Sequence, residues 1–305
     1  MLSFLDSVPE SESQLMPWRK RYISKPWIIS VSLFLATCVT TTLAGGWQFS
    51  LPLMAILLSH EMGHHVAGRL RFLIVTPPYF LPGPPLWPLP GTFGAFIKIR
   101  SPITNRKVLM EVGAWGPVAG ALVAIPVLII GLYFSEMRPG PVQPGPVSFG
   151  SSLLLEILCY IRFGSLTSDA TILLHPAALA AWFGLFVTSM NLLPIGQLDG
   201  GHVVCALFGT RIARLVSMGS YLVLVPLGII YWPGWFVFGV LALLLGLRHP
   251  DPLDPVAPLN PGARLLGYVA IIIFILTFVP VPITISEPVE EVSEILAGFM
   301  ATIRG

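Results

Sequence analysis

The segment Ser59-His60-Glu61-Met62-Gly63-His64-His65 contains the pattern His-Glu-x-x-His, the arrangement in this chain most able to do chemistry. On an α-helix, positions four apart differ by about 40° of rotation and about 6 Å of rise, so His60 and His64 present two imidazoles to one metal ion with Glu61 beside them. Glu61 is then free to accept a proton from a water activated at that ion. Composition alone predicts about 0.004 such matches in a chain of this make-up, so coincidence is a weak explanation. A catalytic zinc site has three protein ligands and an open fourth position, which two histidines do not complete. Of the five aspartates, Asp199 is the one inside a mainly apolar stretch, Asn191-Leu-Leu-Pro-Ile-Gly-Gln-Leu-Asp-Gly-Gly-His202. Pro194 and Gly196 should break that stretch and let the Asp-Gly turn reach the ion, so Asp199 is the expected third ligand. His202 competes for the place, although a role beside the ligands or at the membrane interface suits it better. His65 points about 100° away from His64 and reads as a packing residue.

The elements that must hold these residues are membrane helices. The chain has 305 residues, 54% hydrophobic and 10% charged, and apolar runs long enough to cross a hydrocarbon core recur along it. Helices are expected near 27–45, 51–70, 107–135, 176–208, 213–231, 234–247 and 264–282, the fourth broken near its end. The fold class is an all-α polytopic membrane protein, a bundle of about six to seven transmembrane helices with a re-entrant β-hairpin or loop. Ionisable residues at the centre of a membrane helix cost about 2.5 to 3.5 kcal/mol each when charged, so a cluster of them needs a purpose. The first apolar run follows Arg19, Lys20, Arg21 and Lys25 and is long enough to span and be retained. Arg69, Arg71, Arg100 to Lys107, Arg211, Arg214, Arg248 and Arg264 fall on the same side as that basic start, which places the N-terminus in the cytoplasm. The loop 136–175 is read as polar and external.

Residues 72–106 do not suit a spanning helix, because Pro77, Pro78, Pro82, Pro84, Pro85, Pro88 and Pro90 remove donors and clash with preceding turns. Gly91-Thr-Phe-Gly-Ala-Phe-Ile-Lys-Ile-Arg100 is instead rich in β-branched and aromatic residues and suggests a strand or hairpin entering from the cytoplasmic side. Its free edge could pair with an extended peptide through Gly91, Phe93, Gly94, Ala95 and Phe96. Gly113, Gly116 and Gly120 with Pro117 read as a close helix-packing face. Glu111, four residues after Lys107, reads as half of a helix-surface pair. Cys38, Cys159 and Cys205 form no CxxC pair and read as small buried residues, and a net charge of +2 gives no nucleic-acid footprint. The expected organisation is a cytoplasmic segment 1–26, a core 27–250 containing the re-entrant segment 72–106, a cytoplasmic loop and last transmembrane helix 251–282, and an external tail 283–305, read as a short amphipathic helix.

Together, His60-Glu61-x-x-His64, Gly113-x-x-Gly116-Pro117, and Asn191-x-x-Pro194 followed by Leu198-Asp199-Gly200 resemble the site-2 proteases, intramembrane zinc metalloproteases, over roughly residues 27–250. The resemblance implies one Zn2+ held by His60, His64 and Asp199, Glu61 as general base, and Asn191 positioning the substrate backbone or stabilising the oxyanion. It also implies that Gly91 to Ile99 aligns an unwound substrate helix. The expected substrate is a single-span membrane protein, and the expected location is a bacterial cytoplasmic membrane with the active site toward the cytoplasm. Gly-Thr-Phe-Gly-Ala-Phe is similar to the cyanobacterial and plastid-like branch. The competing reading is a non-proteolytic zinc-binding membrane protein or transporter that kept the fold; Glu61, and external half-spans with few polar residues, argue against it.

Overall fold

The computed structural model describes residues 17–86, 88–139, 147–164, 170–247 and 249–285. Helix α1 (Pro17–Gly45) turns at Gly46 into α2 (Trp47–Leu70), which carries His60 and His64. A hairpin follows, β1 (Tyr79–Pro82) antiparallel to β2 (Thr92–Phe96), with Tyr79 opposite Phe96 and Phe80 opposite Ala95. Next come α3 (Arg106–Tyr133), β3 (Glu136–Pro139), β4 (Val147–Phe149), α4 (Leu153–Phe163), β5 (Ala170–Leu173) and α5 (Pro176–Asn191). The chain ends its described part with α6 (Asp199–Phe208), α7 (Thr210–Ile230), α8 (Gly234–Leu245), α9 (Pro261–Thr277) and β6 (Ile283–Ile285).

Helix α3 is the hub, packed against α2, α5, α6, α9 and α4. The largest core cluster joins Leu53, Ile56 and Leu57 of α2 to Ala124 and Leu128 of α3 and to Ala181 and Phe183 of α5. A second joins Leu109 and Met110 of α3 to Val203 and Cys205 of α6 and Ala263 of α9. Outside these seams the bundle is coated with exposed Leu, Ile, Val and Phe, including Leu35, Val39 and Leu43 of α1 and Ile229 of α7, an outer surface suited to lipid rather than water. By length and composition, three helical segments could cross a bilayer: Pro26–Gly45, Arg106–Tyr133 and Thr210–Ile230. The segments Gly234–Leu244 and Pro261–Thr277 are apolar but shorter. The chain is therefore a mostly helical membrane protein.

Several expectations are corrected. The first helix begins at Pro17 rather than at residue 27, and the last ends at Thr277 rather than 282. The break expected near the end of 176–208 is present: α5 and α6 are separate helices joined by residues 192–198, with Gly196 at φ 53°. The segment 136–175 is not a plain polar loop: β3 pairs with β5, β4 pairs with β6, and α4 packs Leu154, Leu155 and Cys159 inward. These two further strand pairs also qualify the all-α expectation. The helix expected in the C-terminal tail lies outside the described residues, as do residues 1–16 of the N-terminal segment.

Glu111 does not pair with Lys107. Its carboxylate takes both Nε and Nη2 of Arg71, just past the end of α2, so the ion pair ties α2 to α3 instead of decorating one helix. A two-point guanidinium–carboxylate contact between elements fixes geometry better than a flexible pair along one helix surface. Replacing Glu111 with Ala should lower the thermal midpoint in detergent, with a coupling to Arg71 of about 0.5 to 1 kcal/mol in a double-mutant cycle, whereas Lys107→Ala should leave it unchanged.

Candidate metal centre

His60 and His64 lie one helical turn apart on α2, both buried, with ring centroids 4.9 Å apart. Asp199 is the first residue of α6, where a carboxylate also suits the positive end of the helix dipole. Its Oδ2 is 3.3 Å from His60 Nε2 and 3.2 Å from His64 Nε2. All three ligand atoms fall within 4.8 Å of one another. Zinc bonds to nitrogen and oxygen are about 2.0 to 2.1 Å, so neighbouring ligand atoms around a tetrahedral ion stand about 3.3 Å apart. The two Nε2–Oδ2 separations match that edge, and two imidazoles with one carboxylate are a donor set zinc accepts. The residues fit the metal.

The other ring nitrogens decide whether Nε2 is available. His64 Nδ1 lies 2.6 Å from the Val112 carbonyl oxygen, which accepts only if Nδ1 carries the proton. His60 Nδ1 lies 3.3 Å from Thr188 Oγ1, whose own hydroxyl donates to Gly184 O at 2.9 Å and is therefore left to accept. Both rings are thus fixed in the tautomer that turns a lone pair on Nε2 toward Asp199. Thr188 and the Val112 carbonyl were not singled out from sequence. A backbone oxygen has no sequence signature, and one threonine in an apolar helix looks like any other.

Close helix approach makes these bonds possible. A Cβ placed on Gly116 would fall on the His64 imidazole, and one on Gly120 would come 3.2 Å from His60 Cβ and Nδ1. The glycine face read as helix packing is therefore packing: Gly116 and Gly120 pack against the pair of histidines, and Gly113 against His202 of α6. The turn into α6 is equally tight: Gly200 sits against the Leu192 carbonyl and Gly201 against that of Gly196, with no room for a side chain. Gly196 N–H donates to Ser217 Oγ of α7 at 2.9 Å, anchoring the turn that presents Asp199.

Glu61 is buried at the same level of α2, and its carboxylate has no hydrogen-bond partner among the described residues. Asn191, the last residue of α5, brings its amide nitrogen to 3.3 Å from His60 Nε2. His202 is not a fourth member of the cluster. Its Nδ1 lies 2.5 Å from His249 Nε2, and His249 Nδ1 bonds the Pro250 carbonyl at 2.6 Å, so the two rings hold each other. Burial lowers the pKa of His249, which sits in the loop after α8. His65 turns away to the Thr76 carbonyl at 2.9 Å. Residues Gly91, Phe93, Gly94, Ala95 and Phe96 lie on the hairpin, which is hung on α1 by Ser30 Oγ to Pro78 O at 2.5 Å and Thr40 Oγ1 to Gly91 O at 2.7 Å. None of them hydrogen-bonds the metal-centre residues.

Residues 48–230 match the family described as Peptidase family M50. The chain belongs to that family. It is 30% identical over 241 residues to "Probable zinc metalloprotease EGY1, chloroplastic" of Arabidopsis thaliana, covering 77% of this chain and 43% of that protein. It is 32% identical over 176 residues to "Probable zinc metalloprotease EGY2, chloroplastic" of Oryza sativa subsp. indica, covering 57% of this chain and 32% of that protein. The chain thus spans less than half the length of these relatives. The match bears out the resemblance to the site-2 proteases.

Two variants test the geometry of the centre. Thr188→Val should weaken zinc binding about 10- to 100-fold while Thr188→Ser keeps it, as measured by competition with a chelating dye. Gly116→Ala should lose bound zinc by pushing His64 aside, with helical content by circular dichroism little changed.

Proposed function

We propose that the chain is a zinc metalloendopeptidase that hydrolyses peptide bonds of single-span membrane proteins within the bilayer. The observation that carries this reading is the trio of buried His60 and His64 with half-buried Asp199, Nε2–Oδ2 separations of 3.2 and 3.3 Å, and beside it the Glu61 carboxylate, unpartnered among the described residues. His60, His64 and Asp199 are the ligands, and zinc, when bound, supplies Lewis acidity toward a peptide carbonyl and makes a water more acidic. Glu61 accepts the proton of the attacking water and passes it to the leaving amine nitrogen, so the carboxylate ends as it began. The Asn191 amide, close to His60 Nε2, is a donor for the substrate backbone or the developing oxyanion.

A helical substrate hides its carbonyls in internal hydrogen bonds, so it must be extended before it is cut. The hairpin offers a way to do this. In the described sheet β2 pairs with β1 alone, leaving its other edge unpaired, and Phe93 and Phe96 stand out from it. We assign Gly91, Phe93, Gly94, Ala95 and Phe96 to substrate alignment by strand addition, within a re-entrant segment 72–106 of a bundle of six to seven spans. The basic residues gathered between apolar runs support a cytoplasmic N-terminus and a centre opening toward the cytoplasm, and we assign the protein to a bacterial cytoplasmic membrane.

The test is cleavage of a model single-span substrate by purified protein in detergent. Glu61→Gln should keep stoichiometric zinc and cut at least about a hundredfold more slowly, whereas Asp199→Asn should lose both metal and activity. Chelation should abolish cleavage and added Zn2+ restore it. Zinc retained with equal cleavage by wild type and Glu61→Gln would remove Glu61 from the mechanism.

A further inference from the structure

A cavity of about 260 Å3 lies apart from the metal centre, where α3 and α9 begin and α6 ends. Its polar lining is Arg106, Arg264 and Tyr268, its apolar lining includes Leu207, Phe208 and Leu259, and no carboxylate among the described residues contributes. Arg106 is partly committed: its Nε and Nη2 donate to the carbonyls of Ala206 and Leu207 at 2.9 and 2.8 Å, closing the C-terminal end of α6. The Arg264 guanidinium is exposed and has no hydrogen-bond or ion-pair partner among the described residues. Two cations facing one space without a counter-charge repel each other, and an anion placed between them removes that cost.

What leads away from the cavity narrows the choice of anion. Arg264, Tyr268, Ile272 and Ile275 follow one another on α9 at spacings of four, four and three, a single helical stripe. Tyr268, Ile272 and Ile275 are 50, 54 and 57% exposed, so an apolar track starts at the phenol and runs down the helix from the charged end. A soluble anion has no use for such a track. A molecule with an anionic head and a hydrocarbon tail fills both parts, the phenol sitting where the two meet, as tyrosines do at membrane interfaces. Basic pockets between membrane helices hold lipid headgroups by the same charge logic. We propose that this cavity binds the phosphate headgroup of an anionic phospholipid, with an acyl chain lying along Tyr268, Ile272 and Ile275. The headgroup touches Arg106, which holds the far end of the helix that begins with Asp199. This inference rests on the membrane class of the protein and not on its peptidase activity.

The full chain, delipidated in mild detergent, is titrated separately with phosphatidylglycerol, phosphatidylcholine and inorganic phosphate, and bound species are counted by native mass spectrometry. One phosphatidylglycerol per chain should be retained, at least tenfold more tightly than phosphatidylcholine. Arg264→Ala should weaken it about five- to tenfold, and Arg264→Lys should recover much of the loss. Arg214→Ala, which removes the same charge from α7 outside the cavity, should have little effect. Equal weakening by Arg264→Ala and Arg214→Ala would reduce the effect to general surface charge and overturn the site. Equal retention of phosphatidylcholine would do the same, and displacement of the lipid by an equimolar amount of inorganic phosphate would assign the cavity to a soluble anion instead.

Discussion

Imidazole N–H groups buried among apolar helices need acceptors, and the centre of this bundle is arranged around supplying them. An unsatisfied polar group in such surroundings costs on the order of 1 to 3 kcal/mol, and here it would also leave the rings free to rotate or change tautomer. The Val112 carbonyl serves His64 and the Thr188 hydroxyl serves His60, so each acceptor comes from a different neighbouring helix. That requirement sets how near α3 and α5 must come to α2. Gly63 against the Trp115 backbone of α3, Gly116 against the His64 ring and Gly184 against the Ile56 side chain are among the places with no room for a Cβ. The glycine face, the tautomers and the direction of Nε2 are consequently one constraint expressed three times.

The third donor is handled differently. His60 and His64 are positioned by a continuous helix, whereas Asp199 depends on a break. Between Asn191 and Asp199 the backbone leaves the helix, passes Gly196 with its positive φ, and restarts with the carboxylate in the first turn of α6. Backbone groups freed by such a break need partners at membrane depth, and the Gly196 N–H finds one in Ser217 of α7. A helix far from the ligands in sequence thereby helps decide where the carboxylate points.

How much of this could be read in advance follows from the range of each interaction. His60, Glu61 and His64 were legible because their relation is local and obeys helical spacing. Asp199 was legible because it is an acid in an apolar stretch next to a proline and two glycines, a pattern hard to explain otherwise. Helix α4 was missed, since eleven residues between proline- and glycine-rich flanks resemble a loop more than a membrane element. Glu111 was misread because the local rule proposed Lys107, while Arg71, forty residues away, offers better geometry. Thr188 and the Val112 carbonyl were beyond reach, as their roles exist only once the helices have packed.

The separation of the donors along the chain has a mechanical meaning. His60 and Asp199 are 139 positions apart, and the whole of α3 and α5 lies between them. Any ion gripped by both ends acts as a removable staple across more than a third of the polypeptide. Loop closure of this size grows only slowly more costly with length, so the staple resists unravelling of everything it encloses and not merely of its own neighbourhood. The same three side chains are therefore a clasp as well as a candidate metal centre, and taking an ion away would loosen the hub of the bundle from the turn that carries its acid.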